Sequence, residues 1–177
     1  MSAIDEPTTS TPAIEIVVGN PKAASRTRHV AEELGARVSE ITGISPNPTI
    51  DLADHADEIF RWPSETMDEL GDRVRGATIA IFASPTYKAS YTGLLKGFLD
   101  RNPTDGLAGV TAIPIFTMGA PNHALAVEFT LRPLLVELGA SLPTRGLSFE
   151  TPRYDELDAI LDGWIDRHRD VLGRLGV

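Results

Sequence analysis

Ser84-Pro85-Thr86-Tyr87-Lys88-Ala89-Ser90-Tyr91-Thr92-Gly93 sets hydroxyls, two aromatic rings and a proline directly behind the apolar run Ile81-Phe82-Ala83. A strand entering such a turn exposes backbone N–H groups beside ring faces, which suits a flat ligand with a polar edge. Between Phe82 and Leu99 the only charged residues are Lys88 and Lys96, and between Val110 and Val127 there is no Asp, Glu, Lys or Arg. Both stretches therefore fit a neutral aromatic ring. A third stretch has the opposite character: from Gly19 to Ala31 the chain places Lys22, Arg26 and Arg28 without an acid, in a protein of formal net charge −9. Asn20, Ser25 and Thr27 add side-chain donors, and a helix starting at Arg26 would offer free N–H groups and partial positive charge to a phosphate. Taken singly, each stretch also has a plain reading: a capped helix with solvated cations, and simple packing for Tyr87 and Gly93.

An isoalloxazine ring displays acceptors and one donor along its pyrimidine edge. Backbone N–H groups of Thr86, Tyr87, Lys88, Gly119 and Ala120 could meet them, and their dipoles would favour the anion that develops at N1 on reduction. Competing motifs fail. The first loop lacks both G-x-x-x-x-G-K-[ST] and G-x-G-x-x-G, so neither an NTPase phosphate site nor a dinucleotide pyrophosphate site is expected. A low-molecular-weight phosphatase needs a cysteine, and the chain has none. A receiver domain needs acids where Gly19-Asn20 and Ser84-Pro85 stand. His123 is the only histidine near these turns, and at a helix start it reads as a cap or solvent contact. His29, His55 and His168 have no ligand spacing with acids, so no metal is expected.

The elements that must position these stretches follow from hydrophobic pattern and turn residues. Ile14 to Val18 reads as a buried strand stopped by Gly19-Asn20-Pro21, with Ser25 capping a helix from Arg26 to about Gly35. Thr49 to Leu52 is a weak second strand, and Ser64 caps a helix carrying Met67, Leu70 and Val74. Thr78 to Ala83 is the third strand, followed by a helix from Thr92 to Asp100, and Val110 to Thr117 is the fourth. A helix from Ala124 to Leu138 should kink or bulge, because Pro133 lacks an N–H and presses on the Phe129 carbonyl. Ala140 to Phe149 is the expected fifth strand, and a helix from Tyr154 to Leu175 carries an apolar stripe. Alternating strands and helices predict a three-layer α/β/α sandwich around a five-stranded parallel sheet of flavodoxin-like order 2-1-3-4-5. Its ligand site would lie at the carboxyl ends of strands 1 and 3.

The composition is compatible with that plan. At 177 residues and 42% hydrophobic, the chain suits one domain, residues 13–177, behind a polar, disordered lead at residues 1–12. Without cysteine there is no disulfide framework or thiol chemistry. The lead has no apolar signal core and no run approaches a membrane span, so a cytoplasmic protein is expected. The acidic balance argues against nucleic acid.

The segment Ser84 to Lys96 resembles the signature of the NAD(P)H-dependent FMN reductases, above all the branch that feeds two-component sulfonate monooxygenases. The resemblance continues through Gly119, His123 and Ala124 to Leu135, and the first loop is similar to that family's G-S-x-x-x-x-S-R-T phosphate loop. It implies that Ser25, Arg26 and Thr27 bind the FMN phosphate, with Asn20 where the family usually has serine. Pro85, Thr86, Tyr87 and Lys88 would line the ring, with Thr117, Met118 and Gly119 on its other edge. Phe129 stands where the sulfonate branch often has tyrosine. The implied reaction is hydride transfer from NAD(P)H to FMN with no obligatory side-chain acid or base, for delivery to a partner monooxygenase. The resemblance also implies a homodimer or homotetramer, contacts falling on Leu94, Leu95, Phe98, Leu131, Leu134 and Leu135. An FMN-containing quinone or azo-dye reductase and a non-enzymatic flavodoxin-like electron carrier stay open at this point.

Overall fold

The computed structural model describes residues 11–176, so the expected N-terminal lead lies outside the described residues except for Thr11 and Pro12, which are exposed. Five strands, β1 (Ile14–Val18), β2 (Ile50–Asp51), β3 (Ile79–Pro85), β4 (Thr111–Met118) and β5 (Leu147–Glu150), form one sheet in the order β2-β1-β3-β4-β5. Every pairing is parallel, with Ile16 opposite Ile81, Ile81 opposite Ile113 and Ile115 opposite Leu147. The flavodoxin-like order expected from the sequence is the observed one.

The near-continuous apolar strands are covered on both faces, as their composition requires. Strand periodicity sends Val17, Phe82 and Phe116 to one side, where they meet Leu95, Phe98, Leu131 and Leu135. Ile16, Ile81 and Ile115 go to the other, against Val30, Leu34, Leu161 and Trp164. The first layer holds α2 (Glu65–Arg75), α3 (Gly93–Leu99) and α4 (Arg132–Glu137); the second holds α1 (Arg26–Thr42) and α5 (Leu157–Leu172). Arg37 of α1 clasps Asp158 and Asp162 of α5 at 2.6 and 2.9 Å. Burial alone would lower its pKa, but bonds to Asp162, Glu33 and Asp158 outweigh that and raise it. Among the described residues no helix is long and apolar enough to cross a membrane.

Several boundaries differ from expectation for physical reasons. α1 does not stop near Gly35 but runs to Thr42, where Gly43 adopts φ 73° and ends it. Gly35 instead permits close packing: a Cβ there would lie 2.7 Å from Ile16 Cδ1. β5 is shorter than Ala140 to Phe149: Ser141 bridges Thr111 of β4, but beyond it Arg132 donates to the carbonyls of Leu142 and Thr144 and Glu128 accepts from Gly146 N, so pairing resumes only at Leu147. The bulge expected from Pro133 is present as a π-helical segment, Val127–Leu131, leading into α4. The last helix begins at Leu157, behind a 3₁₀ segment, Thr151–Glu156. Leu95, Phe98, Leu131 and Leu135, offered above as subunit contacts, are core residues; Leu125, Phe129 and Val136 are the exposed apolar side chains of the segment after β4.

Candidate functional site

At the carboxyl end of the sheet a pocket of about 450 Å³ is shared by the turns after β1, β3 and β4. From the first turn Asn20, Ser25, Arg26 and Thr27 line it; from the second, Pro85, Thr86 and Tyr87; from the third, Thr117, Met118 and Gly119. Lys88 alone of the predicted site residues does not line it. It sits at the exposed tip of a tight turn. His123 is likewise outside the lining. A larger open groove of about 1080 Å³ follows the β5 edge but contains none of the predicted residues, so size does not locate the site.

One side of the pocket is cationic. The basic trio divides: Arg28 is taken by Glu32 at 2.8 Å and lies 3.6 Å from buried Asp51, while Arg26 has no carboxylate partner among the described residues. The Glu32 hydrogen bond, with help from Asp51 and against partial burial, raises Arg28 above its ordinary pKa. Ser25 Oγ caps α1 by accepting from Arg28 N at 3.2 Å, which leaves its own O–H free to donate. The expected anion site is therefore narrower than three basic residues. Its cations are Arg26 and Lys22, both exposed.

Asn20 and Thr27 hold the turns together. Asn20 Nδ2 donates to Thr27 Oγ1 at 3.0 Å, and that hydroxyl pairs with Thr117 Oγ1 at 2.7 Å, so a partly buried chain of polar side chains ties the first turn to the end of β4. Asp51, at the end of β2, accepts from Ala24 N at 3.1 Å and fixes a non-glycine residue at φ 49°. The Thr92 hydroxyl donates to Gly19 O, tying α3 to the same turn.

The second turn departs from expectation. Thr86 N donates to Thr117 O at 2.7 Å and Tyr87 N to Ser90 O at 2.9 Å, so two N–H groups assigned to a ring edge are consumed within the protein. The Tyr87 to Ser90 pairing closes a two-residue turn in which Lys88 and Ala89 adopt φ 52° and 62°. Among the described residues the N–H groups of Lys88, Gly119 and Ala120 have no acceptor. Thr86 Oγ1 is buried with no hydrogen-bond partner, an orphaned polar atom of a pocket-lining residue. Tyr87, 54% exposed, stands at the pocket as a ring wall rather than a core aromatic.

Three features were missed in the sequence. Asp51 lies in the strand paired beside β1, and only its place at that strand's carboxyl end could have pointed to it. Thr151 lines the pocket from the turn after β5. Tyr154, three residues on, puts its ring 5.3 Å from the Arg26 guanidinium. The doubly wound topology brings the turn after β5 to the ligand end too, a signal that attention to strands 1, 3 and 4 passed over. The arrangement suits a mononucleotide: an unpaired guanidinium and a helix N-terminus for the phosphate, uncharged turns and an orphaned hydroxyl for the ring.

Comparisons with known proteins agree with this geometry. The family model described as NADPH-dependent FMN reductase matches residues 12–151. An FMN reductase (NADPH) of Escherichia coli K12 is 38% identical over 80 residues, 45% of this chain and 42% of the relative. The NADH-dependent FMN reductase SfnF of Pseudomonas putida is 31% identical over 99 residues, 56% of this chain and 53% of the relative. The chain thus spans about half the length of these curated relatives. A crystal structure of an NADH:FMN oxidoreductase in its apo form superposes with a TM-score of 0.80 at 32% identity, covering 91% of this chain and 90% of that one.

Proposed function

The chain belongs to the NADPH-dependent FMN reductase family, and on that premise we propose that it uses NAD(P)H to reduce FMN held in the pocket between the turns after β1, β3 and β4. The observation that carries this reading is the convergence of ten predicted residues on one pocket that is cationic at one side and uncharged at the other.

Arg26, the Ser25 hydroxyl and the N-terminal N–H groups of α1 take the phosphate, charge-assisted bonds being the strong ones available. Thr86 Oγ1 and the free N–H groups of Gly119 and Ala120 address the polar edge of the ring, and Tyr87 walls it. FMN held by these residues would supply the electron-accepting ring for hydride from the nicotinamide. The protein contributes position and dipoles, and no side chain acts as an obligatory acid or base. The SfnF relative is described as an NADH-dependent FMN reductase, which supports use of either nicotinamide. Reduced flavin then passes to a partner monooxygenase in the cytoplasm. Exposed Leu125, Phe129 and Val136 support assembly of a homodimer or homotetramer through the segment after β4.

The test follows NADH and NADPH oxidation with FMN, FAD, quinone or no acceptor added. Saturable turnover that requires added FMN supports the proposal. A protein that stays yellow through dialysis and reduces quinone without added flavin would sink it in favour of a quinone reductase. Arg26→Ala should weaken FMN binding about 10- to 100-fold, the worth of one charge-assisted bond, and leave riboflavin little changed; equal losses would refute the phosphate role.

A further inference from the structure

Arg26 needs a support that does not neutralise it. A carboxylate would fix a guanidinium but consume the charge and the N–H fork that a phosphate requires. Arg28 shows that outcome two residues away, bound to Glu32 and beside Asp51. Among the described residues Arg26 meets no carboxylate; its guanidinium carbon lies 5.3 Å from the centre of the Tyr154 ring. An aromatic face attracts and orients a cation at this range while leaving its N–H edge open.

The Tyr154 ring is itself held. It stands edge-on to buried Phe149 of β5, with centroids 6.2 Å apart and planes at 83°. On α1 it meets His29, at 5.7 Å and 54°. Its segment is stiffened where Arg153 grips Glu156 through bonds of 3.0 and 2.7 Å, and the same segment sends Thr151 into the pocket lining. We infer that Thr151 adds a fourth wall to the site and that Tyr154, outside the lining, is the positioning residue that presents Arg26 to the flavin phosphate. This rests on the phosphate reading of the pocket. It assigns selection of FMN over riboflavin to a residue outside the three turns.

The experiment is flavin titration by fluorescence quenching, with FMN and riboflavin in parallel, on the full chain and its Tyr154 variants. Tyr154→Leu should lose about fivefold in FMN affinity, an exposed cation–π contribution, with riboflavin unchanged, and Tyr154→Phe should retain wild-type selectivity. In an Arg26→Ala background Tyr154→Leu should have no further effect on FMN. If Tyr154→Leu does not fold, Tyr154→Glu takes its place. By pairing with Arg26 it should abolish the FMN preference and spare riboflavin. The inference is overturned if Tyr154 variants weaken both flavins alike, if they weaken neither, or if Phe behaves as Leu. Loss of selectivity in Arg26→Ala with none in the Tyr154 variants overturns this inference alone. A wild-type protein that does not prefer FMN to riboflavin overturns the phosphate reading and this inference with it.

Discussion

Gly19 sits where the first turn meets α3, and adding one methyl group there tests the close approach. Its N–H donates to Ala83 O at 2.7 Å, and its carbonyl accepts the Thr92 hydroxyl. A Cβ on Gly19 would lie 2.5 Å from Leu95 Cβ and 3.2 Å from Leu95 Cα, against an ordinary carbon–carbon contact of about 3.5–4.0 Å. No rotamer of Leu95 moves either atom, and Leu95 is fully buried. Relief therefore requires backbone movement of roughly 1 Å, which strains the Thr92 tie. Gly19→Ala should cost about 2–3 kcal/mol, or roughly 4–12 °C in Tm for a domain of this size, read by urea and thermal unfolding. FMN affinity should fall with it. Gly35→Ala is the control: its nearest obstacle is Ile16 Cδ1 at 2.7 Å, the end of a flexible side chain, and alanine gains about 1 kcal/mol of helix propensity. Its net effect should stay within about 1 kcal/mol. A Gly19→Ala protein with wild-type stability, or equal losses in the two variants, would refute the reasoning from backbone contact.

Asp51→Asn removes the charge that holds Ala24 N and faces Arg28; a loss of about 1–3 kcal/mol is expected, with weaker FMN binding in the same titration. Ala89→Gly relieves a left-handed backbone at φ 62° and should stabilise by about 0.5–1 kcal/mol in urea, while Ala89→Val should destabilise. Hydrogen bonding from Arg153 holds the exposed Glu156 carboxyl below its ordinary pKa. The stabilisation is therefore complete above the unfolded value of 4.5 and is lost as pH falls through the lowered folded one. Glu156→Gln should remove this small contribution, seen as a slight loss of stability at neutral pH, a flatter loss on acidification and no difference from the parent protein below the lowered folded value.

Sheet order and three of the turns that line the pocket were legible because they rest on local signals. Apolar β-branched runs, Gly and Pro punctuation, and the capping residues Ser25 and Ser64 act over a few residues, and each cap bonds the N–H its position predicts. The Pro133 irregularity was legible for the same reason. What escaped depends on partners far along the chain. Thr86 N–H is spent on Thr117 O, and Arg28 on Glu32 with Asp51 of the neighbouring strand beyond it, so counting donors and cations within a loop overstated what remains for a ligand. The shortened β5 reflects side chains of Arg132 and Glu128 reaching across the structure. The Tyr154 ring meets Arg26 only because β5 runs parallel to its neighbours, which puts the turn that follows it at the ligand end.

The placement of β1 inside the sheet shapes how the pocket comes into being. During synthesis β1 emerges before β3, and Ile16 must wait for Ile81, about 65 residues later, to complete its main pairing. Closing that span costs chain entropy before any pairing returns it, which slows assembly relative to a meander of neighbouring strands. The turn that brings Thr151 to the pocket comes later still, after β5, so the lining is complete only once that turn has formed. Ligand then acts by mass action on the whole sheet, adding about 2.7 kcal/mol at a hundredfold excess over Kd. Amide exchange in β1, β3 and β4 should slow together when FMN is present, a signature of binding coupled to global unfolding.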